Sequence, residues 1–546
     1  MICIIHGYLL DGSGSNLWTR SIVQALCREG EIVHLVCQEP HPPLYDFIAE
    51  SYRYHLDGSV ETIFRRDVPY SGRCIMHKPQ IGETLPVYVW DHYEEFSKVV
   101  PMIELPDEAI NYYLDRNTEA LMKIVIAHDI SVMHVNHAVL MSVAVERASR
   151  ATSTPFAIMP HGSDIEYAIK KDERFLRFAV EAFTAAKRVF VVGREMRERV
   201  NKVFASVPDI DSKMTELNLG VDTSFFETIP REARQKNISE MLELIAGLPR
   251  GKSPEMSQVM LEKLRGDMSI DEFCAVASST RDYTSKRPDS DLEAKLATVN
   301  WDDDKIVLFV GRFIASKGLQ SIVTALPLIF GNHHNARLIA VGHGPLREAL
   351  EAFVWALRNG EVSLLERIVE WASALEDSAP KPFVEARRFY DQLDERGELD
   401  KYFEEARRLT ADRVIFTGYL THRELRYLFP CCDVAIFPSV VAEAGPLVFL
   451  EALASGCFPL GTYFAGMAAS IDAIADSLPV EDAQLMKLSI GENRTVADIA
   501  TKATAALSLG DKHKATLREI AELRYDWKNI AKKLALELRS LTNQSF

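Results

Sequence analysis

Long hydrophobic runs, patterned cysteines and an excess of positive charge are all missing from this sequence. No apolar run approaches the ~20 residues of a membrane-spanning helix, and the N-terminus "MICIIHGYLL" has no basic leader. Neither a transmembrane segment nor a signal peptide is therefore expected. The eight cysteines (Cys3, Cys27, Cys37, Cys74, Cys274, Cys431, Cys432, Cys457) form no CxxC pair and no zinc-type spacing. They read as buried, reduced thiols in a cytoplasmic protein. A net charge of −16 excludes a general nucleic-acid role, because phosphate backbones need clustered Lys and Arg. Any phosphate site must be local, built from a few cations and backbone N–H groups.

What is present is a globular composition, 47% apolar and 26% charged, on a 546-residue chain too long for one core. Short apolar runs alternate with helix-period segments, twice over. The first half gives "ICIIH", "VHLVC", "VMHVN", "FAIMP" and "RVFVV"; the second gives "KIVLFVG", "ARLIAVG", "RVIFTG", "DVAIFPS" and "CFPLGT". Such runs predict parallel sheets covered on both faces. The expected fold class is α/β: two Rossmann-like, doubly wound domains facing a cleft, with ligands outside the carboxyl ends of the strands. The expected boundaries are an N-terminal domain at 1–227, a helical insertion or linker at 228–300, and a C-terminal domain at 301–512. That domain carries a second helical insertion at about 352–410, expected to pack on its outside, and amphipathic helices close the chain at 513–546.

Several strand-to-helix turns carry candidate chemistry. In "EAGPLVFLE", Gly445 suits an N-cap and Pro446 the first helical turn, which leaves the N–H groups of Leu447 and Val448 to an anion. Glu443 precedes that helix and Glu451 lies inside it, two carboxylates able to accept hydrogen bonds from sugar hydroxyls. Taken alone the pair is a weak pattern, and a buried structural glutamate plus a surface one explains it better. In "LFVGRFIASKGL", Arg312 and Lys317 are placed to neutralise a diphosphate. Gly342 and Gly344 of "AVGHGPLREAL" permit close approach of a flat base or sugar. "HGYLLDGSGSNLW" is a glycine-rich loop before a helix, and "MPHGSD" sets His161 at a strand end. His6, His134 and His137 also end strands and read as structural. The acidic runs "WDDDK" and "PDSD" read as solvated linker rather than metal motifs.

Taken in order, "VGRFIASKGL", "VGHGPLREAL", "FTGYLTHRELRYLFPCCDVAIFPS" and "EAGPLVFLEALASGCFPLGTYFAGM" resemble the retaining GT-B nucleotide-sugar glycosyltransferases of family four. "GSGSN", "PHGSD", "VVGREM" and "NLGVDTSFF" fall in matching order in the first half. The resemblance covers about 400 residues and leaves the two insertions aside. It implies that Glu443 and Glu451 are the family's E-x7-E pair, holding donor-sugar hydroxyls and the ribose. It implies further that Arg312 and Lys317 clamp the diphosphate, that Gly14 lies by the phosphates and that His161 lies beside the reacting sugar. The segment around Tyr419 and Leu420 would meet the base through its backbone. His343 departs from the acidic residue many relatives carry there, and Pro446 from their glycine.

The activity so implied is metal-independent, retaining transfer of a sugar from a nucleotide-diphosphate sugar to a hydroxyl acceptor. No cofactor or metal is required, and with no evident carboxylate nucleophile, same-face attack is favoured over double displacement. The acceptor, a sugar, small molecule or glycolipid, is not legible. Homo-oligomerisation and a peripheral seat at a membrane stay open. Two rivals remain: an inactive sugar-nucleotide-binding relative, and an NAD-type oxidoreductase suggested by "DGSGSN" with Glu39 after the second strand. The latter lacks a third glycine.

Overall fold

The computed structural model describes residues 1–546 except 89–92, 94–95, 282–285, 377–380, 442–444, 446 and 543–546. The chain divides into two compact units, Met1–Gly220 with Leu523–Phe546, and Val221–Glu522. Among the described residues no helix is long and apolar enough to cross a membrane.

Unit 1 holds β1 (Ile2–Ile5), β2 (Ile32–Val36), β3 (Ile48–Tyr54), β4 (Val60–Arg65), β5 (Arg73–Pro79), β6 (Thr84–Val87), β7 (Lys98–Pro101), β8 (Val132–Asn136), β9 (Phe156–Met159), β10 (Arg188–Val191) and β11 (Met214–Glu216). Nine of these form one sheet in the order β11-β10-β9-β8-β1-β2-β5-β3-β4, with β6 and β7 paired separately. Only the β3–β4 pairing is antiparallel within it. The order reverses beside β1, so the loops after β1 and β8 flank a topological switch point, where such sheets bind ligands. The helix Gly14–Arg28 and the C-terminal helix Trp527–Thr542 cover one face, packing Trp18, Ile22, Leu26, Leu534 and Leu538 onto Ile4, Val33, Leu35 and Met76. The closing segment is therefore divided: Lys514–Ile520 stays with unit 2, while Trp527–Thr542 completes the core of unit 1.

Unit 2 is built on β12 (Lys305–Val310), β13 (Ala336–Val341), β14 (Val414–Gly418), β15 (Val434–Phe437), β16 (Phe458–Thr462) and β17 (Lys487–Leu488). All neighbours run parallel in the order β14-β13-β12-β15-β16-β17. Counted from its own first strand this is the 3-2-1-4-5-6 order, with its switch point between β12 and β15.

Both helical insertions are part of this unit rather than excursions from it. In the 228–300 segment, buried Arg234 pairs with Asp433 at 2.9 Å, and buried Lys252 reaches Glu348 at 3.0 Å and Glu351 at 2.8 Å. In the 352–410 segment, helix Leu399–Arg407 packs on helix Leu319–Asn332, and the Tyr402 hydroxyl donates to the Thr324 carbonyl at 2.9 Å. The expectation of a module on the outside of the domain is thus corrected: Leu364, Ile368, Phe389 and Phe403 bury their side chains in the unit. The acidic runs are corrected too. Asp289 of "PDSD" and Asp304 of "WDDDK" are 2% and 5% exposed. Arg347 pairs with Asp289 at 2.7 Å and Arg337 pairs with Asp304. Buried carboxylates need such partners, and solvated linkers do not.

Candidate functional site

In unit 2 four strand-end loops are joined at the switch point. The loop after β12 carries Arg312, exposed, and Lys317, partly buried, on the short helical turn Ala315–Lys317. The carbonyl of Ser316 accepts from the Val440 N–H at 2.9 Å and the Ser439 hydroxyl at 3.3 Å, tying this loop to the one after β15. Gly318 makes that approach possible: its φ is +76°, and a Cβ there would lie 2.2 Å from the Pro438 carbonyl. The loop after β13 joins through the Phe313 N–H, which donates to the His343 carbonyl at 2.8 Å. A Cβ on Gly344 would lie 2.5 Å from the Phe313 carbonyl. The close approach that Gly344 permits is therefore that of the chain's own β12 loop.

The loop after β14 closes the ring. Gly342 donates to the Gly418 carbonyl at 2.9 Å, and the rings of His343 and Tyr419 meet edge-on at 5.0 Å. Burial, with Lys286 and Arg312 nearby, pushes the His343 pKa down to about 4, so this imidazole sits uncharged among cations. The Tyr419 N–H donates to the Arg287 carbonyl at 3.0 Å, and Leu420 is buried. Lys252, Arg287, His343, Gly344, Arg347 and Tyr419 line a small pocket here.

The helix Leu447–Ala454 follows β15 and begins at half-buried Leu447 and Val448. Glu451, 4% exposed, lies on its buried side. One carboxylate oxygen faces His422 Nε2 at 2.9 Å, and the other has no hydrogen-bond partner among the described residues. His422 starts the helix after β14, where Thr421 and Glu424 form a reciprocal capping box. Glu443 and Pro446 lie outside the described residues.

Unit 1 contributes a second group of residues at strand ends. Gly14 is the exposed first residue of its helix, capped by the Ser13 hydroxyl. His161 Nε2 meets the Asn136 side-chain oxygen at 3.1 Å, and its ring lies 4.9 Å from that of His137. Burial, then His6 and His134, lowers the His161 pKa to about 3, so the ring is neutral at ordinary pH. Asp164 was missed by sequence reasoning. Its buried carboxylate accepts from the N–H groups of Ala138 (2.6 Å), His161 (3.3 Å) and Ile165 (2.9 Å), joining the loops after β8 and β9. Between them His137 is held at φ +74°, a left-handed conformation rare for residues other than glycine. Tyr8 and Tyr88 complete an aromatic wall, their rings 5.5 and 5.0 Å from His137. Glu39, by contrast, accepts from Leu10 N–H at 3.1 Å, His41 N–H at 3.0 Å and the Tyr45 hydroxyl at 3.2 Å. It is a loop anchor, which weakens the oxidoreductase reading.

Residues 86–225 match the family described as Glycosyltransferase Family 4, and residues 293–368 and 394–490 match two described as Glycosyl transferases group 1. The chain carries glycosyltransferase group 1 and family 4 domains. These glycosyltransferase domains adopt the GT-B fold. Similar solved structures include sucrose-phosphate synthase from Thermosynechococcus elongatus (15% identity, TM-score 0.51, 100% of this chain and 99% of that one). Anabaena HepE in complex with UDP and glucose is another (14%, 0.50, 99% of each). So is the catalytic domain of Arabidopsis thaliana starch synthase IV bound to ADP and acarbose (11%, 0.54, 100% and 99%). An uncharacterized glycosyltransferase of Methanocaldococcus jannaschii is 24% identical over 243 residues, 43% of this chain. The match spans 47%, about half, of that relative's length.

Proposed function

We propose that the protein is a retaining, metal-independent glycosyltransferase that moves a sugar from a nucleoside-diphosphate sugar to a hydroxyl acceptor. The observation that carries this reading is Glu451: a buried carboxylate with one oxygen unmatched among the described residues, on the helix after β15, whose preceding loop is tied to the one bearing Arg312 and Lys317. A buried unmatched acceptor is costly, and a ribose hydroxyl supplies the missing donor.

In this reading Arg312, Lys317 and the amides of Leu447 and Val448 take the diphosphate, where charge develops as the sugar–phosphate bond breaks. Gly14 lies near the same phosphates. Tyr419, Leu420 and Gly344 shape the base site. The electron pair of the C1–O bond leaves with the phosphate, and the acceptor oxygen bonds C1 from the same face. The acceptor proton passes to the departing phosphate oxygen. Glu443 holds the donor-sugar hydroxyls, and neutral His161 offers hydrogen bonds to the sugar without adding charge. The two cations neutralise the leaving group directly, so the reaction needs no divalent ion.

The test is a thermal-shift screen against UDP, GDP, ADP and their sugars, followed by transfer assays with and without EDTA and NMR of the product's anomeric centre. Stabilisation by one nucleotide series, EDTA-resistant transfer and a retained configuration are expected. Inversion, or activity lost in EDTA and restored by manganese, would refute the mechanism.

A further inference from the structure

Two histidines interrupt otherwise apolar strands of unit 1. Along β2, Val33 and Leu35 turn into the core beneath helix Gly14–Arg28, so His34 points to the opposite face. Along β5, Cys74 and Met76 do the same, and His77 joins His34. Helix Asp107–Ala127 packs against β5, and His128 caps the end of that helix. His34 and His77 are 1% and 0% exposed; His128 is half-buried.

The three rings converge. Their centroids lie 5.2 Å (His34–His77), 4.6 Å (His34–His128) and 5.0 Å (His77–His128) apart. One ring nitrogen from each lies within 4.8 Å of the other two. His34 Nδ1 and His77 Nε2 are 2.9 Å apart, close to the roughly 3.3 Å separating two nitrogens across a tetrahedral ion with bonds of about 2.0–2.1 Å. The far nitrogen of His77, Nδ1, meets the Tyr54 hydroxyl at 2.9 Å, the outer hydrogen bond that orients a ligating imidazole. His34 Nε2 is buried with no partner among the described residues. Burial holds all three rings uncharged at neutral pH, the state in which imidazole binds metals.

We propose that His34, His77 and His128 form a binding site for a borderline divalent transition-metal ion, zinc in the first instance. Three neutral imidazoles favour such ions over magnesium or calcium, which prefer oxygen. The fourth position is left to water on the side of half-buried His128. Bound there, the ion ties the end of helix Asp107–Ala127 to β2 and β5. Its role is structural, and separate from the loops after β1, β8 and β9.

The experiment is calorimetric titration of EDTA-stripped, desalted protein with zinc chloride. One saturable equivalent per chain is expected, with a rise in Tm on zinc addition. His128→Ala should abolish that phase, and Tyr54→Phe should weaken it roughly 10- to 100-fold. Binding of the nucleotide that the thermal-shift screen selects should be unchanged in both. Cobalt-loaded wild type adds a readout that does not depend on a variant folding, with nitrogen-ligated tetrahedral absorption expected. No saturable phase in the wild type, an identical phase in folded His128→Ala, or a purely octahedral aqua spectrum would overturn the proposal.

Discussion

Replacing Glu451 by Gln should improve the empty fold while damaging nucleotide binding. The wild-type carboxylate is 4% exposed, with one oxygen toward His422 at 2.9 Å and the other without a partner among the described residues. Burying an unsatisfied charged acceptor costs about 1–3 kcal/mol or more. Removing the charge at equal volume should recover part of that and raise the ligand-free Tm by about 1–3 °C. The ribose would lose a charge-assisted hydrogen bond worth about 1.5–3 kcal/mol, so the affinity for free nucleoside diphosphate should fall by roughly 10- to 150-fold. Because the ribose is unchanged by the reaction, KM should rise while kcat stays nearly intact. Differential scanning fluorimetry and calorimetry at pH 8 read both effects. A variant that binds diphosphate as tightly as wild type refutes the assignment, whatever its Tm.

Arg312→Ala and Lys317→Ala should each lower kcat/KM by roughly 10²-fold, because the proposed mechanism sets both where leaving-group charge develops; unchanged single-turnover rates would refute this. Glu443→Gln should instead lower kcat by roughly 10²-fold while leaving diphosphate affinity unchanged, a split read by kinetics and calorimetry. Unit 1 should be acid-labile: buried His6 and His134 and half-buried His161 have pKa values lowered to about 4, 4 and 3. The unfolded state then binds more protons below about pH 6.5, so stability is full above that pH and falls toward pH 4; a flat melting profile over pH 4–7 would contradict it. Excising residues 356–408 should unfold unit 2, since it removes Tyr402, Phe403 and Leu364 from the core; a cooperative melt with intact nucleotide binding would sink that expectation.

The strands legible in the sequence were those buried on both faces. β1, β2, β8, β9, β10 and β12 to β16 all coincide with the continuous apolar runs read beforehand, because parallel strands under two helical layers leave no polar face. The exceptions have local causes. β4 is exposed along most of its length at the sheet edge, and β3 and β5 are interrupted by Arg, His and Tyr. β11 and β17 are too short to show any period. The insertions were misjudged because their cores alternate with charge. In "LLERIVEWASALED" the apolar positions that enter unit 2 recur at helical spacing among four acidic residues, a pattern that composition reads as surface.

The site was legible where it depends on turn chemistry and opaque where it depends on sheet order. Gly318 and Gly344 sit in turns that any reader of strand–glycine–helix patterns marks, yet only the β15-β12-β13 adjacency shows what they admit: neighbouring backbone at 2.2 and 2.5 Å. The same adjacency brings the stretch 311–318 against the start of the loop after β15, through Ser316 and Val440. Asp164 was hidden because "PHGSD" directed attention to the histidine, whereas the aspartate three residues later fixes the loops on both sides of it. The sign that could have found it is local: an Asp opening a helix, two residues after a glycine, is a residue that binds backbone. The histidines of β2 and β5 gave a comparable sign. A histidine inside "IVHLVC" or "CIMHKP" breaks an apolar run at a position that must be buried, and a buried imidazole requires a partner. Sequence alone places each break; only the β2–β5 pairing, with Val36 opposite His77, brings the two onto one face.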